Sequence, residues 1–193
     1  QLCRKYLEMA EKTKKSFDEK FYNEEKHCLY DVLGDSKVRP NQLFALSLSH
    51  PIVDNAEIAE QVLSTVENKL LNKYGLKTLS SDGYVDVYEG SAYKRDSSYH
   101  QGITWPWLLG LYYDALKNTM MIEKNRSKRQ ELEEKITNLV DTTKETFRAE
   151  MFERSSIGTI SEIYDSTEPY EERGAFAQAW SVAEIFRIVL NKR

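Results

Sequence analysis

Three short runs concentrate the residue types that could bind or transform a sugar: Arg39-Pro40-Asn41-Gln42, Tyr99-His100-Gln101-Gly102-Ile103-Thr104-Trp105-Pro106-Trp107, and Gly158-Thr159-Ile160-Ser161-Glu162-Ile163-Tyr164-Asp165. A pyranose ring has apolar C–H faces that lie on aromatic rings, and hydroxyls around its rim that need donors and acceptors. Taken together the runs offer both, and the third adds a carboxylate.

Glu162 is the sharpest candidate for chemistry. It stands between Ile160 and Ile163, beside Tyr164 and downstream of Gly158, a setting that would hold a carboxylate in a half-buried cavity. Such a group can take a proton from water, as the general base of an inverting glycosidase does while a second carboxylic acid protonates the leaving oxygen. Glutamates of this local kind also serve as surface caps and ion-pair partners. His100 reads as a proton shuttle or as a hydrogen-bond donor to a hydroxyl; with no serine or cysteine nucleophile motif beside it, the donor role is preferred. Trp105 is the better pocket residue, and Trp107 is assigned to the core. Arg39 is held extended by Pro40, and Asn41 could bind a ligand or cap a helix. Glu89, Arg95 and Asp96 could form an ion-pair lattice. His27, His50 and His100 lack metal-ligand spacing, so neither metal nor cofactor is expected.

The elements that must position these residues are helical. Periodicity predicts six helices and little strand: Leu2–Tyr22; Asn41–Leu48 opened by Pro40; one capped by Asp54 and Asn55 and ending near Gly75; one from Thr104–Pro106 through Leu116; Ser127–Phe152; and Phe176–Leu190. Amphipathic and mainly apolar helices alternate. A helix apolar on most sides must be covered on most sides, so the order suggests inner and outer layers built from three hairpins with a period of roughly 60 residues, as in a toroid or part of one. Two long loops, residues 78–101 and 158–174, precede inner helices, and loops of this length are usually functional. Tyr84-Val85-Asp86-Val87-Tyr88 has the period of two expected of a short strand. The charged run from Arg126 to Lys135 reads as a solvated helix face with ion pairs three and four residues apart.

The chain has 193 residues, 40% hydrophobic and 30% charged, which fits one globular domain over residues 1–193. Its net charge of −4 argues against nucleic acid or an anionic membrane as partner. Cys3 and Cys28 form no disulfide framework, and no apolar run could span a bilayer, so a cytoplasmic location is expected. A first residue other than Met points to processing or excision from a longer chain.

The ordered set Arg39-Pro40-Asn41-Gln42, Gly75-Leu76-Lys77-Thr78-Leu79, Tyr88-Glu89-Gly90, Tyr99 through Trp107, Ile160 through Asp165, and Gln178-Ala179-Trp180-Ser181 resembles the C-terminal amylo-alpha-1,6-glucosidase domain of glycogen debranching enzymes over nearly the whole chain. The resemblance implies an all-α fold, the (α/α)6 toroid, of which this chain would supply the second half. It implies hydrolysis, with inversion, of the α-1,6-linked glucose at branch points of glycogen or limit dextrin. It places Glu162 at the general-base position and Arg39, Asn41, Gln42, Tyr99, His100, Gln101, Trp105, Tyr164, Gln178 and Trp180 around the substrate. The family's general acid is an Asp upstream of the Arg-Pro-Asn-Gln motif, and no carboxylate in residues 1–38 stands in a comparable motif. This chain alone is therefore expected to be inactive, with apolar edges that seek the missing half or a second copy. The alternatives are a non-catalytic helical module that binds glucan or protein, and a sugar epimerase with His100 as base.

Overall fold

The computed structural model describes residues 2–80, 87–154 and 157–190. It is mainly helical with small sheets. Seven α-helices are found among the described residues: α1 (Leu2–Lys20), α2 (Phe44–Ser47), α3 (Ala56–Lys69), α4 (Ala92–Ser98), α5 (Leu108–Ile122), α6 (Arg126–Glu153) and α7 (Ala179–Leu190).

Helix α5 is the axis of the molecule. Its Leu108, Tyr112 and Leu116 join a core with Leu43 and Leu46 near α2 and Val62, Leu63 and Val66 of α3. Its Leu109 and Tyr113 join a second core with Val140 and Phe147 of α6 and Ile185 and Ile188 of α7. An element packed on both sides needs apolar residues all round, which is the pattern its sequence carries. The helices α3 and α6 instead bury one stripe each.

Helix boundaries follow local chemistry. Asn55 caps α3 by accepting from the backbone N–H groups of Glu57 and Ile58, and Asn125 caps α6 in the same way. Arg39 before Pro40 has φ −127° and ψ 156°, the extended backbone that a following proline enforces. The expected helix over Asn41–Leu48 is a 3₁₀ turn, Pro40–Leu43, followed by the single turn of α2. The third helix stops at Lys69 rather than near Gly75, because a β-hairpin follows.

The chief departure from the sequence reading is a five-stranded antiparallel sheet. Strands β1 (Tyr22–Asn23) and β2 (Cys28–Leu29) form a separate hairpin. The larger sheet runs in the order β3 (Leu71–Asn72), β4 (Gly75–Lys77), β5 (Thr104–Trp105), β6 (Ile163–Tyr164) and β7 (Glu172–Arg173). Strands of two or three residues are too short for a period of two to register, so the sequence gives no signal for them. Thr104 and Trp105, read as a helix start, are the central strand. They pair with Leu76 and Lys77 on one side and Tyr164 on the other. This sheet brings the second and third motif runs together.

The loop at residues 78–101 contains the additional helix α4. The strand expected at 84–88 falls mostly outside the described residues; Val87 and Tyr88, which are described, are not in a strand. The ion pairs of α6 also differ from expectation: Lys128 reaches Glu60 at 2.6 Å and Lys135 reaches Glu67 at 2.7 Å, both across to α3 rather than along α6. Helix α7, expected to be covered on most sides, buries Ser181, Ile185 and Ile188 and exposes Trp180, Phe186 and Leu190.

Candidate active site

Arg39 joins the first motif run to the second. Its Nη1 donates to the backbone carbonyls of Thr78 at 3.0 Å and His100 at 2.8 Å, and its Nη2 donates to Oε1 of Gln101 at 2.9 Å. Five fixed N–H donors suit an arginine to such multi-point fastening. Gln42 is buried and satisfied at both ends, donating to the carbonyl of Arg39 and accepting from the N–H of Leu29. The Asn41 side chain makes no cap; its amide donates to Asp31 at 2.8 Å.

Above this frame lies a cavity of about 260 Å³ lined by Arg39, Pro40, Asn41, Thr78, His100, Trp105, Trp107, Leu108 and Trp180. Aromatic rings form much of its wall. His100 stacks on Trp105 with centroids 5.4 Å apart, and Trp107 stacks on Trp180 at 4.1 Å. Trp107, assigned to the core from sequence, is half-buried and packs against the first core, and it also lines this cavity. It occupies the N-cap position of α5, ahead of the first helical turn. Trp105 is the more buried of the two, and its indole N–H donates to the carbonyl of Tyr99 at 3.1 Å.

Tyr99 connects this wall to Glu162. Its ring meets Trp105 edge-on at 4.8 Å, and its hydroxyl donates to Glu162 Oε1 at 2.6 Å. Burial, and then the carboxylate beside it, push the Tyr99 hydroxyl well above the usual phenol range, so it stays a donor. Gln178 Nε2 donates to the same oxygen at 3.2 Å, and the N–H of Ala175 donates to Oε2 at 3.0 Å. Glu162 is half-buried, and neither it nor Tyr99 lines the cavity; Tyr99 touches Glu162 through its hydroxyl and the lining residues His100 and Trp105 through its ring. Sequence reasoning missed Gly174 and Ala175, which carry no functional side chain and act through backbone.

Tyr164 lies apart from this group. It is fully buried, stacks on Tyr74 at 4.4 Å and donates its hydroxyl to Glu150 of α6 at 2.9 Å. Asp165 accepts from the N–H of Tyr88 at 2.9 Å and from Arg173 at 2.8 and 3.0 Å. Arg173 also binds Glu89, so Glu89 pairs with β7, whereas Arg95 donates to the carbonyl of Gly90. The lattice expected within the loop is instead a tie from the loop to the sheet. No cluster of three or more potential metal ligands occurs among the described residues.

A family model described as amylo-alpha-1,6-glucosidase matches residues 2–187. The chain belongs to that family. The match covers all the elements that build the cavity and the Glu162 site, from α1 through most of α7. A glycoside hydrolase family of this description acts on glucan, which accords with the mixture of indole faces and hydrogen-bonding groups in the cavity wall. No helix among the described residues is long and apolar enough to cross a membrane.

Proposed function

We propose that this chain carries the base half of a glycogen-debranching glucosidase, acting in the cytoplasm on α-1,6-linked glucose at branch points of glycogen or limit dextrin. The observation that carries this reading is the Glu162 carboxylate, fixed by three donors beside a cavity walled by three tryptophans. Glu162 takes a proton from water as the water oxygen bonds to the anomeric carbon. The bond from that carbon to the branch oxygen breaks, and a second carboxylic acid protonates the departing oxygen, so the product is inverted glucose. That acid is supplied from outside these residues. Asp31, the carboxylate that touches the cavity wall, is already engaged with Asn41 and lies 4.0 Å from Arg39.

In this reading the chain forms the second half of an (α/α)6 toroid, and the missing half or a second copy covers the apolar residues that α1 and α7 expose. Among the residues placed around the sugar, Trp105, Trp107, Trp180 and His100 offer ring faces, while Arg39 and Asn41 meet hydroxyls. Gln42 and Gln101 hold Arg39 in place, and Gln178 holds Glu162.

The test is Glu162→Gln in the complete enzyme. Gln keeps the size of the side chain and cannot accept the proton, so release of glucose from limit dextrin should fall by at least about 10³-fold while glucan binding by calorimetry stays within about threefold. Unchanged hydrolysis would overturn the role. A parent enzyme that binds glucan and never releases glucose would establish the binding-module reading instead.

A further inference from the structure

We propose that Glu162 works through one oxygen, Oε2, and that Gly174 is the positioning residue that makes this possible. The inference rests on the general-base reading of Glu162 and goes on to name the atom and its support.

The two oxygens are unlike. Oε1 accepts from both the Tyr99 hydroxyl at 2.6 Å and Gln178 Nε2 at 3.2 Å, whereas Oε2 accepts from the Ala175 N–H alone among the described residues. An ionised carboxylate has about two acceptor directions per oxygen. Oε1 is therefore filled, and Oε2 keeps one direction for the water whose proton it takes.

Holding Oε2 in place requires the β7 end to come very close. Glu162 and Ala175 make a reciprocal pair, with the Glu162 N–H donating to the Ala175 carbonyl at 2.9 Å and the Ala175 N–H donating to Oε2. The residue between Arg173 and Ala175 must then run beside the carboxylate. Gly174 does so with φ +70°, and a Cβ built there would collide with Oε2 while standing 3.0 Å from Ile163 Cγ1 and 3.1 Å from Glu162 Cβ. Any side chain at 174 would push the carboxylate off the Ala175 N–H and change which oxygen faces the water.

Two effects of replacing this glycine must be separated, because a left-handed φ strains any L side chain regardless of space. Gly34 supplies the control. It has φ +82° with nothing within 4 Å of a built Cβ, and it lies in an exposed turn away from the cavity. Gly34→Ala therefore carries strain without collision, and Gly174→Ala carries both.

The experiment compares Gly174→Ala, Gly34→Ala and Glu162→Gln in the complete enzyme on limit dextrin. The proposal expects Gly174→Ala to lower kcat by about 10²-fold with KM within threefold, while Gly34→Ala keeps the parent kcat at a similar loss of Tm. A Gly174→Ala enzyme whose kcat matches Gly34→Ala would overturn the proposal, as would a loss confined to KM. If Glu162→Gln itself retains hydrolysis, the general-base reading fails first. If Glu162→Gln is dead and the two alanine variants agree, only the role of Gly174 fails. Should Gly174→Ala not fold, Gly174→Asn keeps the comparison, since asparagine tolerates a left-handed φ and presents the same Cβ to Oε2; parent kcat in that variant refutes the proposal equally.

Discussion

Asp165 shows how a residue adjacent to the candidate chemistry can matter without performing it. It follows Glu162 by three positions, yet its carboxylate turns to Arg173 and to the N–H of Tyr88, and so fastens the loop carrying Tyr99 to β7. In Asp165→Asn the amide N–H₂ would face the guanidinium, and a buried charge-assisted bond would be lost. We expect the chain to lose about 2 kcal/mol in urea unfolding. At this scale much of the site was legible in sequence: Glu162, Tyr99, Gln178, His100, Trp105 and Trp180 do meet in two adjoining clusters. Tyr164, expected beside the substrate, is fully buried against Tyr74 and Glu150, and residue type carries no information about which face of a two-residue strand it takes. The reverse holds for Gly174 and Ala175, whose contribution is backbone.

Elements explain why these clusters are adjacent. Strand β5 lies between β4 and β6, so the loops leaving its two ends are held against the third motif run by backbone hydrogen bonds. The long helices were legible because α3, α5 and α6 have strong periodicity and, for α3 and α6, asparagine caps. The sheet was not, since its strands are shorter than any period. On the sheet's α6 side, Glu150 and Glu172 lie together at Arg154, which is 3.5 Å from the first and 2.5 Å from the second. Burial, and the neighbouring Glu172, raise the Glu150 pKa, while Tyr164 and Arg154 oppose the rise. Tyr74 completes the surroundings by taking an Arg154 N–H on its hydroxyl. An acid whose pKa is higher folded than unfolded stabilises the fold fully below its unfolded value, and that contribution is lost as pH rises through the folded value. Glu150→Gln retains an acceptor for the Tyr164 hydroxyl and has nothing to ionise. Thermal melts should therefore show parent and variant alike near pH 4, with the variant melting at the higher temperature at neutral pH.

For the molecule as a whole, exposed apolar side chains are prominent on α1 and α7. Helix α1 buries none of its residues fully and presents Leu2, Tyr6 and Met9 to solvent; α7 exposes Trp180, Phe186 and Leu190. Exposed apolar surface of this extent marks a place of contact. Sequence patterning predicts that α7 is covered on most sides, and these residues are exposed in this chain. We expect light scattering to give the chain a mass above that of one copy, and the double substitution Phe186→Asp and Leu190→Asp to return it toward a monomer. A monodisperse parent of single-chain mass would remove the argument for a covering partner on α7.

The indole wall has one more consequence. The chain contains three tryptophans, and Trp105, Trp107 and Trp180 all line the one cavity. Its tryptophan fluorescence, excited selectively over the twelve tyrosines, therefore originates at the candidate site, and the Trp107–Trp180 stack couples α5 to α7 in that signal. Occupancy of the cavity and movement of α7 can be followed optically through tryptophan emission in this chain, with no label.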